Sequence, residues 1–126
     1  MLEKLQNLSK NSQSNYYHYP VSSIVECNDG TLFYGVNVET SSPGSGICAE
    51  RNALFNALSH GYKKDDFKKI HIYNLTDKAI TPCFVCRQAL VDYCNMDIEI
   101  ISYTDNFKKS YHLSDLCPLS FDKKDL

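Results

Sequence analysis

The sequence predicts an α/β protein, a three-layer α/β/α sandwich with a mixed sheet of about five strands in a single domain over residues 1–126. Two observations lead there. A strand–turn–strand hairpin lies within the first third of the chain, and two strand-then-helix units follow it. At 126 residues, 43% of them hydrophobic, the chain suits one core.

Residues 2–17 carry Leu2, Leu5 and Leu8 at helical spacing and read as an amphipathic first helix. Val21 to Cys27 reads as a strand. Asn28-Asp29-Gly30 is a strong turn signal, and Thr31 to Val38 reads as the returning strand. Ser, Gly and Pro between Thr40 and Gly46 mark a loop. A helix begins near Ile47 or Cys48. Ala53, Leu54, Ala57 and Leu58 share one face of it, and Gly61 stops it. Ile70 to Leu75 is the next strand, alternating with polar His71 and Asn74. Thr81-Pro82 then opens a second helix, with Thr81 as N-cap and Pro82 at the first helical position. It runs to Tyr93 with Val85, Ala89, Leu90 and Tyr93 inward. Ile98 to Tyr103 is a fourth strand and Lys108 to Leu113 a short fifth.

Composition excludes several function classes. No apolar run is long enough to span a bilayer, and the first ten residues lack the apolar middle of a secretory signal, so a cytoplasmic protein that binds no membrane is expected. The formal net charge of −2 offers no general attraction to a phosphate backbone, and the paired lysines read as solvated corners; no nucleic-acid partner is expected. Six cysteines in a reducing compartment point to metal binding or catalysis rather than to disulfides.

Cys48-Ala49-Glu50-Arg51 and Pro82-Cys83-Phe84-Val85-Cys86-Arg87-Gln88 carry the chemistry. Each sits where a helix begins. Cys83 and Cys86, three apart, share one side of a first turn. Thiolates at helix N-termini are stabilised by free backbone N–H groups and the positive end of the dipole. Three thiolates from Cys48, Cys83 and Cys86 suit one Zn²⁺ per chain and leave one tetrahedral position open, as catalytic zinc requires. Glu50 can lean over that position and carry protons. A structural zinc would recruit a fourth ligand from Cys27, Cys94 or Cys117 but has no use for Glu50. A redox dithiol at Cys83 and Cys86 leaves Cys48-Ala49-Glu50 unexplained. Otherwise Cys27, Cys94 and Cys117 read as small core or surface residues. The chain's only arginines, Arg51 and Arg87, each directly follow a motif. Three thiolates around Zn²⁺ leave a net charge of −1, so Arg51 is expected to hydrogen-bond the sulfurs and draw charge from them, with a surface ion pair as the alternative.

These two motifs together resemble the zinc deaminase signature, a His- or Cys-x-Glu followed by Pro-Cys-x-x-Cys. In the Cys-Ala-Glu-Arg form the chain resembles the small three-cysteine homotetrameric members of the cytidine deaminase family. The likeness extends to Tyr19-Pro20-Val21, to Gly35-Val36-Asn37-Val38-Glu39, and to a tail running from Leu116 and Pro118 through Phe121 to Asp125-Leu126. It implies zinc-dependent hydrolysis of cytidine and deoxycytidine to uridine and deoxyuridine with loss of ammonia, in pyrimidine salvage. Glu50 would take the proton from water, protonate the ring nitrogen and then the departing amine. Asn37 and Glu39 would hold the sugar hydroxyls, and Tyr19 and Ala49 would line the substrate pocket. Phe121 would reach a neighbouring subunit's site in a homotetramer. Pro43 replaces the family's usual aromatic residue, and Ser22 its usual glycine, which bears on sugar and base preference. Alternatives are deamination of another small aminopyrimidine, such as a blasticidin-type nucleoside, or a nucleic-acid editing deaminase.

Overall fold

The computed structural model describes every residue from Met1 to Leu126. Five strands form one mixed sheet: β1 (Val21–Cys27), β2 (Leu32–Val36), β3 (Phe67–Asn74), β4 (Glu99–Tyr103) and β5 (Lys108–His112). Their order across the sheet is β2-β1-β3-β4-β5. Only β3 and β4 run parallel; β1 is antiparallel to both β2 and β3, and β5 to β4. The parallel pair needs a crossover, and α3 (Phe84–Tyr93) supplies it. The hairpin turn bends at Gly30, whose φ of 87° only glycine adopts without strain.

The sheet is covered on both faces, giving three layers. Alternation along each strand divides the core in two. Val25, Ile70, Ile72 and Ile100 pack against α2 (Ala49–Ser59) and α3. Ile24, Tyr73, Ile101 and Tyr103 form a smaller cluster with Leu5 of α1 (Leu2–Ser9). Ser22, on the α1 face, donates from its Oγ to the Leu5 carbonyl at 2.7 Å and so pins that helix to the sheet.

Three expectations need correction. The first helix stops at Ser9 rather than continuing to residue 17; the Asn- and Ser-rich stretch beyond it bonds elsewhere, as short polar side chains that compete with helix do. The polar residues His71 and Asn74 are 3% and 0% exposed, because β3 is the central strand. Their polarity is met internally: His71 pairs with Tyr103 Oη at 2.9 Å and Glu26 Oε1 at 2.8 Å, and Asn74 donates to the Lys78 carbonyl at 3.0 Å. The N-cap of α3 is Cys83 instead of Thr81, and Pro82 lies outside the helix. That shift re-aims the helix, so Cys86, Leu90 and Val91 face inward while Val85 and Tyr93 are exposed.

Close packing of α2 on β2 brings one end of that helix to its place. A Cβ on Gly35 would lie 2.3 Å from the Ala53 nitrogen and 2.5 Å from the Ala49 carbonyl oxygen. Only glycine permits this approach, which fixes the residues beside Cys48.

Candidate metal centre and substrate cleft

Cys48 and Cys83 occupy equivalent positions: each is an N-cap in extended conformation, with ψ of 155° and 163°. Their carbonyls accept the first helical hydrogen bonds, from Asn52 N at 3.0 Å and Arg87 N at 2.9 Å. Cys86 lies in the first turn of α3, fully buried, while Cys83 is exposed and Cys48 half-buried. Two helix N-termini therefore bring three sulfurs together, all within 4.8 Å of one another. Cys48 and Cys83 stand 3.6 Å apart, too far for a disulfide of about 2.05 Å. Tetrahedral coordination at about 2.3 Å per sulfur separates ligands by roughly 3.8 Å, close to the 3.6 Å between Cys48 and Cys83. None of Cys27, Cys94 and Cys117 joins the cluster, and the first two are buried in the core.

Electrostatics favour a thiolate at Cys48. Cys48 is pulled down to about 5 by a hydrogen bond from Cys86, aided by Arg51 and Cys83 against the opposing effect of burial. Cys86 is pushed up by giving that bond and by its own burial. Arg51 stands against the Cys48 and Cys86 sulfurs. Burial weakens its charge, but the two sulfurs more than restore it. Its buried Nε has no hydrogen-bond partner, and none of the chain's ion pairs involves its guanidinium. Arg87 is used differently. It donates to the Pro82 carbonyl at 2.7 Å, the Leu116 carbonyl at 2.9 Å and Thr81 Oγ1 at 2.8 Å, and it stacks over Phe84. Arg87 thus braces the turn before Cys83, and Arg51 alone faces sulfur.

Glu50, in the first turn of α2, is 5% exposed. Burial, and then the negative charge of Cys48, push its carboxyl up to about 7. A carboxyl with that balance both takes and gives protons near neutral pH.

A cleft of about 530 Å³ opens beside these groups, with Cys48, Ala49, Glu50 and Cys83 on one wall. Tyr17, Tyr19, Asn37 and Glu39 form the facing wall. No Lys, Arg or His lines it. Pro43 lines an adjoining hollow that shares Tyr17, Asn37, Glu39 and Cys48 with the cleft, and Ser22 faces α1; neither residue lines the cleft itself. Phe121 does not reach the cleft of its own chain. It sits over α3, where Gln88 Nε2 donates to its carbonyl at 2.9 Å, and its side chain is 57% exposed.

Asn37 and Glu39, which the resemblance assigns to the sugar, both hydrogen-bond to residues between Ser12 and Val21. Asn37 Oδ1 accepts from Val21 N at 2.9 Å and from Ser12 Oγ at 2.5 Å, and Asn37 Nδ2 donates to the Tyr19 carbonyl at 2.9 Å. Glu39 Oε1 accepts from the backbone N–H groups of Tyr16 and Tyr17 at 2.8 and 2.9 Å, and Oε2 accepts from Ser14 Oγ at 2.6 Å. The Ser14 bond, with the two N–H groups, holds the Glu39 carboxyl below the usual range. Sequence reading missed Ser12 and Ser14 entirely.

The family described as the cytidine and deoxycytidylate deaminase zinc-binding region matches residues 1–102. A probable cytidine deaminase of Dictyostelium discoideum is 39% identical over 99% of this chain and 86% of its own length. The cytidine deaminase of Sporosarcina psychrophila is 33% identical over 99% of this chain and 94% of its own. The crystal structure of cytidine deaminase from Burkholderia pseudomallei superposes with a TM-score of 0.90 at 32% identity, covering 94% of both chains.

Proposed function

The chain belongs to the zinc-binding cytidine and deoxycytidylate deaminase family, and from that premise we propose that it is a cytidine deaminase in which Cys48, Cys83 and Cys86 hold one zinc ion and Glu50 carries the protons. Cytidine or deoxycytidine is hydrolysed to uridine or deoxyuridine, and ammonia leaves. The observation that carries this reading is the buried Glu50 lining the same cleft as the sulfur cluster.

Bound zinc supplies Lewis acidity that lowers the pKa of water toward about 7. Glu50 takes a proton from the attacking water and gives it to ring nitrogen N3, while the water oxygen bonds to C4. It then passes the second proton to the amino group as the C4–N bond breaks. Balance requires one water in and one ammonia out, with no redox change. Ala49 and Tyr19 hold the base, and Asn37 and Glu39 the sugar. Arg51 draws charge from the Cys48 and Cys86 sulfurs and so strengthens the metal as an acid.

A free nucleoside suits the cleft better than a nucleotide. Its walls carry the anionic Glu39 and no cation to meet a phosphate. We further assign a homotetramer in which Phe121 completes a neighbour's site. Exposed Phe84, Val85, Leu119 and Phe121 together give an apolar surface around the tail and α3 that needs a cover. No helix is long and apolar enough to cross a membrane. Six free cysteines, three of them metal ligands, suit the reducing cytoplasm.

Loss of the cytidine ultraviolet band tests the function. Conversion stops on chelation and returns with zinc, and deoxycytidylate turns over at least tenfold more slowly. Chelator-resistant turnover, or faster turnover of the nucleotide, overturns the reading.

A further inference from the structure

We infer that Ser14 is a specificity-determining positioning residue, which fixes the Glu39 carboxylate so that a sugar hydroxyl, which both donates and accepts, is held by Asn37 and Glu39. The inference rests on the assignment of those two residues to the sugar.

Ser14 is 9% exposed and uses its hydroxyl in both directions. Its Oγ donates to Glu39 Oε2 at 2.6 Å and accepts from Tyr19 N at 2.6 Å. The chain from Ser14 onward winds back on itself. His18 N donates to the Ser14 carbonyl at 3.0 Å, and His18 adopts a φ of 52° to close the turn. Non-glycine residues pay for that conformation and hold it only where surroundings enforce it. Here the enforcing group is the Glu39 carboxylate, around which the N–H groups of Tyr16 and Tyr17 converge. Residues 14–19 are thus wrapped on Glu39, and two cleft residues, Tyr17 and Tyr19, ride on the wrap.

Counting hydrogen-bonding capacity shows what remains for a ligand. Glu39 Oε1 accepts two N–H donors and is full. Oε2 accepts only from Ser14 and keeps one acceptor site. Asn37 Oδ1 accepts two donors, and Nδ2 keeps one of its two hydrogens. The pair therefore offers one acceptor and one donor. A hydroxyl answers both at once. A carbonyl, an ether or a phosphate oxygen leaves Glu39 facing a lone pair. Glu39 can play this part only while its carboxylate is held in one rotation, and the Ser14 bond is the side-chain tie on the oxygen that remains open.

Ser14→Ala removes that tie without touching the sulfur cluster or Glu50. The test compares cytidine with 2′,3′-dideoxycytidine, and adds uridine affinity by calorimetry as a measure free of turnover. The parent protein should prefer cytidine in kcat/KM. In Ser14→Ala the cytidine KM and the uridine Kd should rise about tenfold, the loss usual for a hydrogen bond to a charged group. Its kcat should stay within about threefold, and the preference for cytidine over the dideoxynucleoside should shrink by the same tenfold. Ser14→Thr, which keeps the hydroxyl, should regain the preference. An unchanged preference in Ser14→Ala, or an equal loss for both substrates, overturns the role of Ser14. So does a Ser14→Thr protein that behaves like Ser14→Ala. A parent protein that does not prefer cytidine in the first place instead removes the sugar assignment of Asn37 and Glu39.

Discussion

The two walls of the cleft are built by opposite means. On the metal side, Cys48 and Cys83 cap two helices and Cys86 lies one turn in, so backbone geometry alone brings the sulfurs within 4.8 Å. On the sugar side, Asn37 and Glu39 follow the end of β2 and meet a segment with almost no regular structure, fastened to them by side chains. The difference follows from the chemistry each wall performs. Coordination tolerates errors of a few tenths of an ångström, so its ligands stand on rigid elements. Recognition of a hydroxyl needs exact partners more than stiffness, and a wrapped loop can supply them.

Breaking the rigid wall should cost the most. Cys86→Ala removes the buried ligand, and the protein should lose its zinc and its turnover to background while far-ultraviolet circular dichroism stays that of the parent. Elemental analysis reads the first effect and the cytidine assay the second; a variant that retains one zinc per chain contradicts the three-sulfur assignment. Glu39→Ala attacks the wrapped wall instead. Cytidine KM should rise about 10–100-fold, since several hydrogen bonds to one charge are lost, with kcat changed far less. If kcat falls as steeply as KM rises, the two walls do not divide the work as described. Arg51→Ala probes the rigid wall from behind. Zinc retention against a chelator should weaken about tenfold, as for other groups that brace metal ligands, with a partial recovery in Arg51→Lys. Parent-like zinc retention in Arg51→Ala would leave its guanidinium a packing group only.

The same contrast governs how much the sequence disclosed. The sulfur cluster was legible because helix periodicity converts the spacing of Cys83 and Cys86 into proximity, and because Cys48-Ala49-Glu50 repeats the same placement at a second helix start. The hairpin was legible because Asn28-Asp29-Gly30 is a local signal. Thr81 misled as a cap: its Oγ1 accepts from Arg87 instead, and the chain stays extended until Cys83, where the metal ligand is needed. The burial of His71 and Asn74 was not legible, because alternation does not distinguish a half-exposed strand from a central one covered on both faces. Ser12 and Ser14 were invisible. Their partners lie 25 residues away, and nothing local distinguishes two serines in a polar stretch from a solvated loop.

In the proposed mechanism Glu50 acts as the proton carrier beside an intact metal site, and this is the most direct point of attack. Steady-state cytidine turnover by Glu50→Gln protein, with its zinc counted in the same sample, measures this directly. The predicted result is one zinc per chain and a loss of kcat beyond the ~10²–10⁴-fold of a single proton transfer, because one carboxyl serves several transfers. A zinc-loaded Glu50→Gln protein that turns cytidine over at close to the parent rate would contradict it.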